Sequence, residues 1–173
     1  SSDVCSSDLA TVHTEDAPLH LAFSVHLRGR EGRVLLTRRA LSKKTWPGVW
    51  TNAFCGHPGA GESFTDAIRR RAVTELHLDP ALLGEPVVVI PEFRYRAVDA
   101  SGVVENEICP VHVVDYTGDP AELPEPEPSE VMDSAWVRWE AVRTVGTQLP
   151  ELISPWLVDQ LGHQELDRAL RAR

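Results

Sequence analysis

The chain has 173 residues with a formal net charge of -9, of which 42% are hydrophobic and 25% charged. These values are typical of one folded domain with a buried core, and they exclude a chain that is disordered throughout. The acidic balance disfavours nucleic acid as a partner. No apolar run approaches the ~20 residues of a transmembrane helix, and the amino terminus lacks a basic region followed by an apolar one, so we expect neither membrane insertion nor secretion. Three widely spaced cysteines, Cys5, Cys55 and Cys109, favour free thiols in a reducing cytoplasm.

The first predicted elements form a hairpin. We expect residues 1–12, rich in Ser and Asp, to be a disordered or artefactual leader, and residues 13–173 to form a single domain. Apolar residues alternate over residues 20–27, and a Gly-bounded turn separates them from a second apolar run at residues 34–37. A short strand over residues 49–54 then leads into Cys55.

A helix is predicted next, followed by a series of strands. Ser63 and Asp66 resemble a capping box, and the apolar residues behind them recur at helical spacing, so the helix extends from about Ser63 to Leu78. Within the strand predicted over residues 103–116, Pro110 indicates a bulge or an edge strand. The later elements are predicted as strands over 86–90, 93–98, 103–116 and 132–139, a Pro-rich loop over 118–130, a short helix over 140–145 and a terminal helix over 155–173.

Histidines and glutamates form the first candidate site. On the strand over 103–116, the period of two places Glu105 and Glu107 on one face, where two carboxylates repel each other unless a cation lies between them or one keeps its proton. Three histidines, His13, His20 and His57, together with these glutamates would fill most of an octahedral metal site. The spacing matches no compact zinc motif, so solvent-exposed glutamates and packed histidines are the alternative.

Basic residues form the second candidate site, because three local clusters stand out in an acidic chain. Such clusters suit a small anion, for example a phosphate ester, and solvated surface charge is the alternative. The clusters are Arg38, Arg39, Lys43 and Lys44, then Arg69, Arg70 and Arg71, then Arg94 and Arg96.

Five stretches carry a more specific pattern. They are His20-Leu-Ala-Phe-Ser, Leu36-Thr-Arg-Arg-Ala-Leu-Ser-Lys-Lys-Thr-Trp-Pro-Gly-Val-Trp-Thr-Asn, Cys55-Gly-His-Pro, Phe93-Arg-Tyr-Arg-Ala and Glu105-Asn-Glu-Ile-Cys-Pro. In order and spacing, from His13 to Trp156, the chain resembles the type 1 isopentenyl-diphosphate isomerases. The resemblance implies the Nudix fold, an α/β/α sandwich around a mixed sheet. It also implies the interconversion of isopentenyl and dimethylallyl diphosphate by an allylic proton shift in isoprenoid biosynthesis.

The resemblance also implies roles for single residues. Cys55 and Glu107 would be the catalytic pair, with Tyr95 supporting Glu107 and Trp156, or Trp50, forming an aromatic wall. We expect Glu107 to deliver a proton and Cys55 to remove one, and the sequence is also compatible with the reverse. One ion (Mn²⁺, Mg²⁺ or Zn²⁺) would be held by His13, His20, His57, Glu105 and Glu107, a second Mg²⁺ on the diphosphate by Glu75, and the diphosphate by Arg39, Lys43 and Arg71.

The Nudix signature is only partly present. Gly56, Glu62 and Arg70 match it, whereas Arg71 and Thr74 stand where glutamates are required. Nudix hydrolases use those glutamates to collect the Mg²⁺ ions that drive diphosphate cleavage, so we expect the fold without efficient hydrolysis. A Nudix diphosphate hydrolase and an inactive metal-binding or regulatory domain are the alternatives. The expected partner is a small isoprenoid diphosphate, and a monomer is favoured.

Overall fold

The computed structural model describes residues 18–171. The expected leader and the predicted metal ligand His13 lie outside the described residues, as does Cys5.

The described part of the chain contains ten strands and four α-helices. The strands are β1 (His20–Leu21), β2 (Phe23–Arg28), β3 (Arg33–Arg39), β4 (Trp50–Thr51), β5 (Phe54–Gly56), β6 (Val87–Ile90), β7 (Arg94–Val98), β8 (Val104–Ile108), β9 (Val111–Asp115) and β10 (Val131–Arg138). The helices are α1 (Phe64–Leu76), α2 (Trp139–Gln148), α3 (Pro155–Gln160) and α4 (Gln164–Arg171). None of the helices between residues 18 and 171 is long and apolar enough to cross a bilayer.

Two sheets organise the molecule. The larger has the order β10-β3-β2-β9-β6, with β4 paired to β3 and β5 paired to β2, and the smaller has the order β1-β8-β7. The pairs β2 with β9 and β1 with β8 are parallel, and the other pairs are antiparallel. The sheets are therefore mixed, as the resemblance implied.

The core lies on both faces of the larger sheet. On β3, the side chains of Val34 and Leu36 pack into a cluster with α2, α3 and α4, whereas that of Leu35 packs into a second cluster with α1. Because neighbouring strand residues point to opposite faces, this division identifies helices on both sides of the sheet. The predicted α/β/α sandwich is confirmed.

Helix α1 follows its predicted limits closely. The hydroxyl of Ser63 accepts a hydrogen bond from the backbone N–H of Asp66 at 3.1 Å, which is the N-cap bond that the sequence predicts. The helix ends at Leu76, two residues earlier than expected, because His77 adopts the left-handed conformation with φ of 52°.

Three predicted elements are divided in the structure. The strand over 103–116 separates at Pro110 into β8 and β9, which belong to different sheets, because proline has no N–H for a continuous ladder. The terminal helix is interrupted around Gly162, since glycine is unfavourable within a helix. The strand over 49–54 becomes β4 and β5, which pair with different neighbours.

Candidate active site

The centre of the small sheet aligns the first group of functional side chains. Glu107 lies on β8, the central strand of this sheet, opposite His20 on the parallel strand β1 and opposite Tyr95 on the antiparallel strand β7. This register brings together three residues that are far apart in sequence. His57 reaches the same place from the segment that follows β5.

Two histidines converge on one carboxylate oxygen. The Nε2 atoms of His20 and His57 lie 3.1 and 3.3 Å from Oε1 of Glu107, and the two rings are 5.0 Å apart. Burial alone would raise the pKa of Glu107, but the hydrogen bonds and positive charge of the histidines lower it to about 2. At His20, burial alone would lower the pKa, but the hydrogen bond to Glu107 outweighs burial and the pKa is raised.

These three residues could hold a divalent metal ion. Their ligand atoms, two imidazole nitrogens and one carboxylate oxygen, all lie within 4.8 Å of one another. Imidazole with carboxylate suits zinc and other borderline or hard divalent ions. The donor set present in the described residues therefore fits the kind of ion that the sequence predicts.

Glu105 joins this group through Tyr95. The Tyr95 hydroxyl lies 2.8 Å from Oε2 of Glu105 and 2.8 Å from Oε2 of Glu107. A hydroxyl has one proton, so it donates to only one carboxylate at a time. Burial and the neighbouring Glu107 raise the pKa of Glu105. Glu105 is thus the carboxyl that retains a proton more readily. Both glutamates are buried, so the alternative that they are solvent-exposed is excluded.

Cys55 lies on β5 with polar neighbours around its sulfur. Its Sγ is 3.6 Å from the Ser24 hydroxyl and 3.5 Å from Nδ2 of Asn52. Burial raises the pKa of the Cys55 thiol to about 12 against the opposing effect of these hydrogen bonds, so the resting group is the protonated thiol. Cys109, by contrast, is fully buried within the apolar core.

Trp156, at the start of α3, is surrounded by aromatic and cationic groups. Its ring centroid is 5.7 Å from that of Tyr95 and 5.4 Å from that of Trp46, and the Arg39 guanidinium lies 5.4 Å from it. The indole N–H donates to Oδ1 of Asn52 at 3.0 Å. A cation within about 6 Å of an indole face is stabilised by the ring quadrupole, so this residue can stabilise positive charge.

One cavity of about 410 Å³ is bordered by His57, Glu107, Glu105, Tyr95, Cys55 and Trp156. His20 is not among its lining residues and reaches it through Glu107. Cations line the cavity from the end of β3, from the loop that follows and from helix α1, and they are Arg39, Lys43, Lys44, Arg70 and Arg71. Lys43 pairs with Glu130, and Arg71 pairs with Glu75. The volume falls in the usual range for a small-molecule site, and the excess of cations suits an anionic ligand.

Most predicted site residues meet at this cavity. It is lined by the catalytic candidates Cys55, Tyr95, Glu107 and Trp156, by the basic candidates Arg39, Lys43 and Arg71, and by His57 and Glu105. Glu75 does not line the cavity and pairs with Arg71. Burial raises the pKa of Glu75, although the Arg71 guanidinium acts to lower it.

Two expected contributors lie elsewhere. The third basic cluster, Arg94 and Arg96, is exposed on β7 and does not line the cavity, so surface charge is the correct interpretation there. Trp50 is not among the lining residues either, and Trp46 is the aromatic side chain that packs on Trp156.

Several side chains of the site were not predicted from the sequence. Thr45 joins two predicted groups, since its hydroxyl donates to Glu105 at 2.6 Å and its carbonyl accepts from Arg39. Glu130 comes from the Pro-rich loop, where nothing local distinguishes it from its acidic neighbours. Ser24 and Asn52 lie behind Cys55, and only the position of Asn52 three residues before the cysteine offered a signal.

The chain is similar to known sequences over most of its length. The NUDIX domain family model matches residues 18–157. The isopentenyl-diphosphate Delta-isomerase of Corynebacterium efficiens is 53% identical over 161 residues, which cover 93% of this chain and 84% of that protein. The protein of the same name from Kocuria rhizophila is 55% identical over 159 residues, covering 92% of this chain and 84% of that protein.

Solved structures show the same fold at low identity. The MutT protein of Methanosarcina mazei Go1 aligns with a TM-score of 0.65 at 17% identity, covering 90% of this chain and 97% of that one. A MutT NUDIX hydrolase of Burkholderia pseudomallei aligns with a TM-score of 0.60 at 20% identity, covering 84% of this chain and 97% of that one. With the family model and the high identity to the isomerases, the chain belongs to the NUDIX family and, within it, to the type 1 isopentenyl-diphosphate isomerases.

Proposed function

We propose that this protein interconverts isopentenyl diphosphate and dimethylallyl diphosphate in isoprenoid biosynthesis. One observation carries the proposal: a single cavity combines a thiol, a buried Glu–Tyr pair, an indole and a set of cations. These are the groups that a proton shift on an uncharged alkene with a diphosphate tail requires.

The diphosphate binds at the cationic end of the cavity. Arg39, Lys43 and Arg71 supply charge-assisted hydrogen bonds to its oxygens, and Glu75 is the candidate for holding an accompanying Mg²⁺. In the protein without substrate, carboxylates balance two of these cations, since Glu130 pairs with Lys43 and lies 3.5 Å from Arg71. Substrate oxygens would replace that carboxylate as their partner.

The metal ion at the His/Glu group is Mn²⁺, Mg²⁺ or Zn²⁺. His20, His57 and Glu107 would hold it, and Glu105 and His13 are further candidates. When bound, such an ion supplies positive charge that neutralises the paired carboxylates and fixes their orientation.

Proton transfer is assigned to Cys55 and Glu107. We propose that Glu107, once it has taken up a proton from solvent and is bonded to the Tyr95 hydroxyl, protonates the alkene. Cys55, as a thiolate, then removes the second proton and returns it to solvent before the next turnover. The resting protonation of Cys55 favours the opposite direction, since its pKa lies near 12 and the thiol keeps its proton. Each group acts as acid in one direction and as base in the other, because the reaction is reversible.

The cationic intermediate needs protection from water. Protonation of the alkene produces a tertiary carbocation, which the indole of Trp156 stabilises without offering a nucleophile. Trp156 is only 2% exposed, and Tyr95 is 7% exposed, so the reacting end of the cavity is enclosed by aromatic rings.

Hydrolysis of the diphosphate is disfavoured by the helix that carries the incomplete signature. Arg71 occupies one glutamate position and pairs with Glu75, one turn further along the helix. Thr74 occupies another position on the exposed side of α1. A site that has lost these carboxylates lacks the ligands for the Mg²⁺ ions that hydrolysis requires.

Incubation with isopentenyl diphosphate and Mn²⁺ or Mg²⁺ in D₂O tests the function directly. Isomerisation conserves the diphosphate and produces dimethylallyl diphosphate carrying solvent deuterium, which NMR and mass spectrometry detect. Release of phosphate or pyrophosphate without deuterated product would identify a hydrolase. No reaction of either kind would support the inactive-domain alternative.

Three properties of the whole protein complete the proposal. We place it in the cytoplasm, because Cys55 and Cys109 are free thiols. We propose one domain over residues 13–173 that acts as a monomer on a small-molecule diphosphate, without nucleic-acid or membrane partners. Size-exclusion chromatography with light scattering measures the oligomeric state.

A further inference from the structure

We propose that Asn52 is a positioning residue for this reaction, one that holds the Cys55 thiol and the Trp156 indole in a fixed relative orientation. The inference rests on the proposed isomerase activity, since both partners act on the substrate there. Asn52 itself lies behind the cavity and is fully buried, so it does not touch the substrate.

Backbone contacts fix the orientation of the Asn52 amide. Its Nδ2 donates to the carbonyl oxygens of Val25 and Phe54, each at 2.9 Å. Carbonyl oxygens accept but cannot donate, so the NH₂ group has to face them. The amide oxygen is therefore directed to the other side, toward α3.

The amide oxygen then fixes the indole. Oδ1 of Asn52 accepts from Nε1 of Trp156 at 3.0 Å and from the Thr51 hydroxyl at 2.9 Å. The indole has one N–H, and its hydrogen bond to Asn52 fixes the orientation of the ring within the ring plane. Trp156 is nearly inaccessible to solvent, so water cannot replace Asn52 as the acceptor without rearrangement.

The same amide lies against the sulfur of Cys55. Sγ is 3.5 Å from Nδ2 and 3.7 Å from Oδ1, and the Ser24 hydroxyl at 3.6 Å is its other polar neighbour. One side chain thus contacts the group that transfers a proton and the ring that stabilises the cation. Misplacement of a reacting group by about 1 Å can reduce a rate on the order of 100-fold, so a common anchor for both groups is effective.

The test compares Asn52→Ala with the wild-type protein in the deuterium-incorporation assay. We expect kcat to fall on the order of 100-fold while KM changes by less than about 3-fold, because the diphosphate cations are untouched. Leu78→Ala is the control, since Leu78 is buried in the other core cluster, which contains none of the residues that line the cavity. It should lose stability and retain kcat.

A double-mutant cycle separates positioning from folding. Trp156→Phe retains an aromatic face but deletes the N–H that binds Asn52, so the two substitutions should have less than multiplicative effects on kcat. If Asn52→Ala does not fold, Thr51→Val replaces it. That variant removes one partner of Oδ1 and should lower kcat about 3- to 10-fold.

A folded Asn52→Ala protein with kcat within 3-fold of wild type would contradict the inference, and so would an equal loss of kcat in Leu78→Ala. Multiplicative effects in the double-mutant cycle would also contradict it. Where Thr51→Val is used instead, an unchanged kcat has the same meaning. An inactive wild-type protein in the same assay would instead refute the proposed function. The two failures are therefore distinguishable.

Discussion

Removal of one hydroxyl, in Tyr95→Phe, tests the catalytic pair most directly. The ring of Tyr95 packs between Phe93 and Trp156, with centroid distances of 6.1 and 5.7 Å, and phenylalanine preserves both contacts. What is lost is the hydroxyl that lies 2.8 Å from Glu105 and 2.8 Å from Glu107. The substitution therefore isolates the hydrogen bond from the packing.

The expected magnitude follows from that bond. A hydrogen bond to a charged group contributes about 1.5–3 kcal/mol, and the single hydroxyl proton provides one such bond at a time. We expect the free energy of unfolding to fall by this amount. If the hydroxyl stabilises the transition state for proton transfer to the same extent, kcat falls about 10- to 100-fold, because 1.36 kcal/mol corresponds to a factor of ten.

Two measurements check the prediction. Urea denaturation gives the change in stability, and steady-state kinetics with isopentenyl diphosphate give kcat and KM separately. KM should stay nearly constant, because the diphosphate-binding cations are unchanged. Tyr116→Phe is the matched control, since Tyr116 is equally buried but packs on Trp136 away from the cavity. A kcat for Tyr95→Phe within 2-fold of wild type would refute the role of the hydroxyl.

Four further predictions concern the same molecule. Cys55→Ala and Glu107→Gln should each reduce kcat about 100- to 10,000-fold with an unchanged circular dichroism spectrum, and near-normal turnover in either would show that the pair is wrong. Chelation followed by dialysis should abolish activity and lower the melting temperature, both restored by Mn²⁺ or Mg²⁺, whereas full activity after chelation excludes the metal role. Lys43→Ala should raise KM about tenfold or more, and Arg94→Ala, on the exposed edge, should leave KM unchanged. Burial lowers the pKa of His26 to about 4, below the unfolded value near 6.5. As the pH falls, the unfolded state therefore binds the proton first, and the free energy of unfolding should decrease by on the order of 3 kcal/mol between pH 6.5 and 4. Urea titrations of His26→Leu should lack this decrease.

The sequence supplied most of the cavity-lining candidates, because side-chain type is a local property and the family resemblance implied roles for single residues. The run from Cys55 to His57, the alternating Glu105 and Glu107, and the basic residues around Lys43 are each visible without a partner. Helix α1 was predictable for a similar reason, since its cap and its apolar spacing lie within the helix itself.

The division of the strand at Pro110 shows the limit of local patterns. Its alternation continues across the proline, so the sequence indicates one strand, whereas β8 and β9 pair in separate sheets. The proline removes a single N–H, which is consistent with either a bulge or a break. Partners on other strands determine which of these forms.

The sequence by itself thus determined the candidate residues, because the type of each side chain is visible in the chain and the family resemblance implied a role for each. Only the tertiary structure decided their arrangement. Glu107 stands between His20 and Tyr95 through pairings with β1 and β7, and Asn52 meets Trp156 across more than one hundred residues of chain. Such contacts depend on the register between distant strands and on the packing of α3, neither of which leaves a periodic signal in the chain.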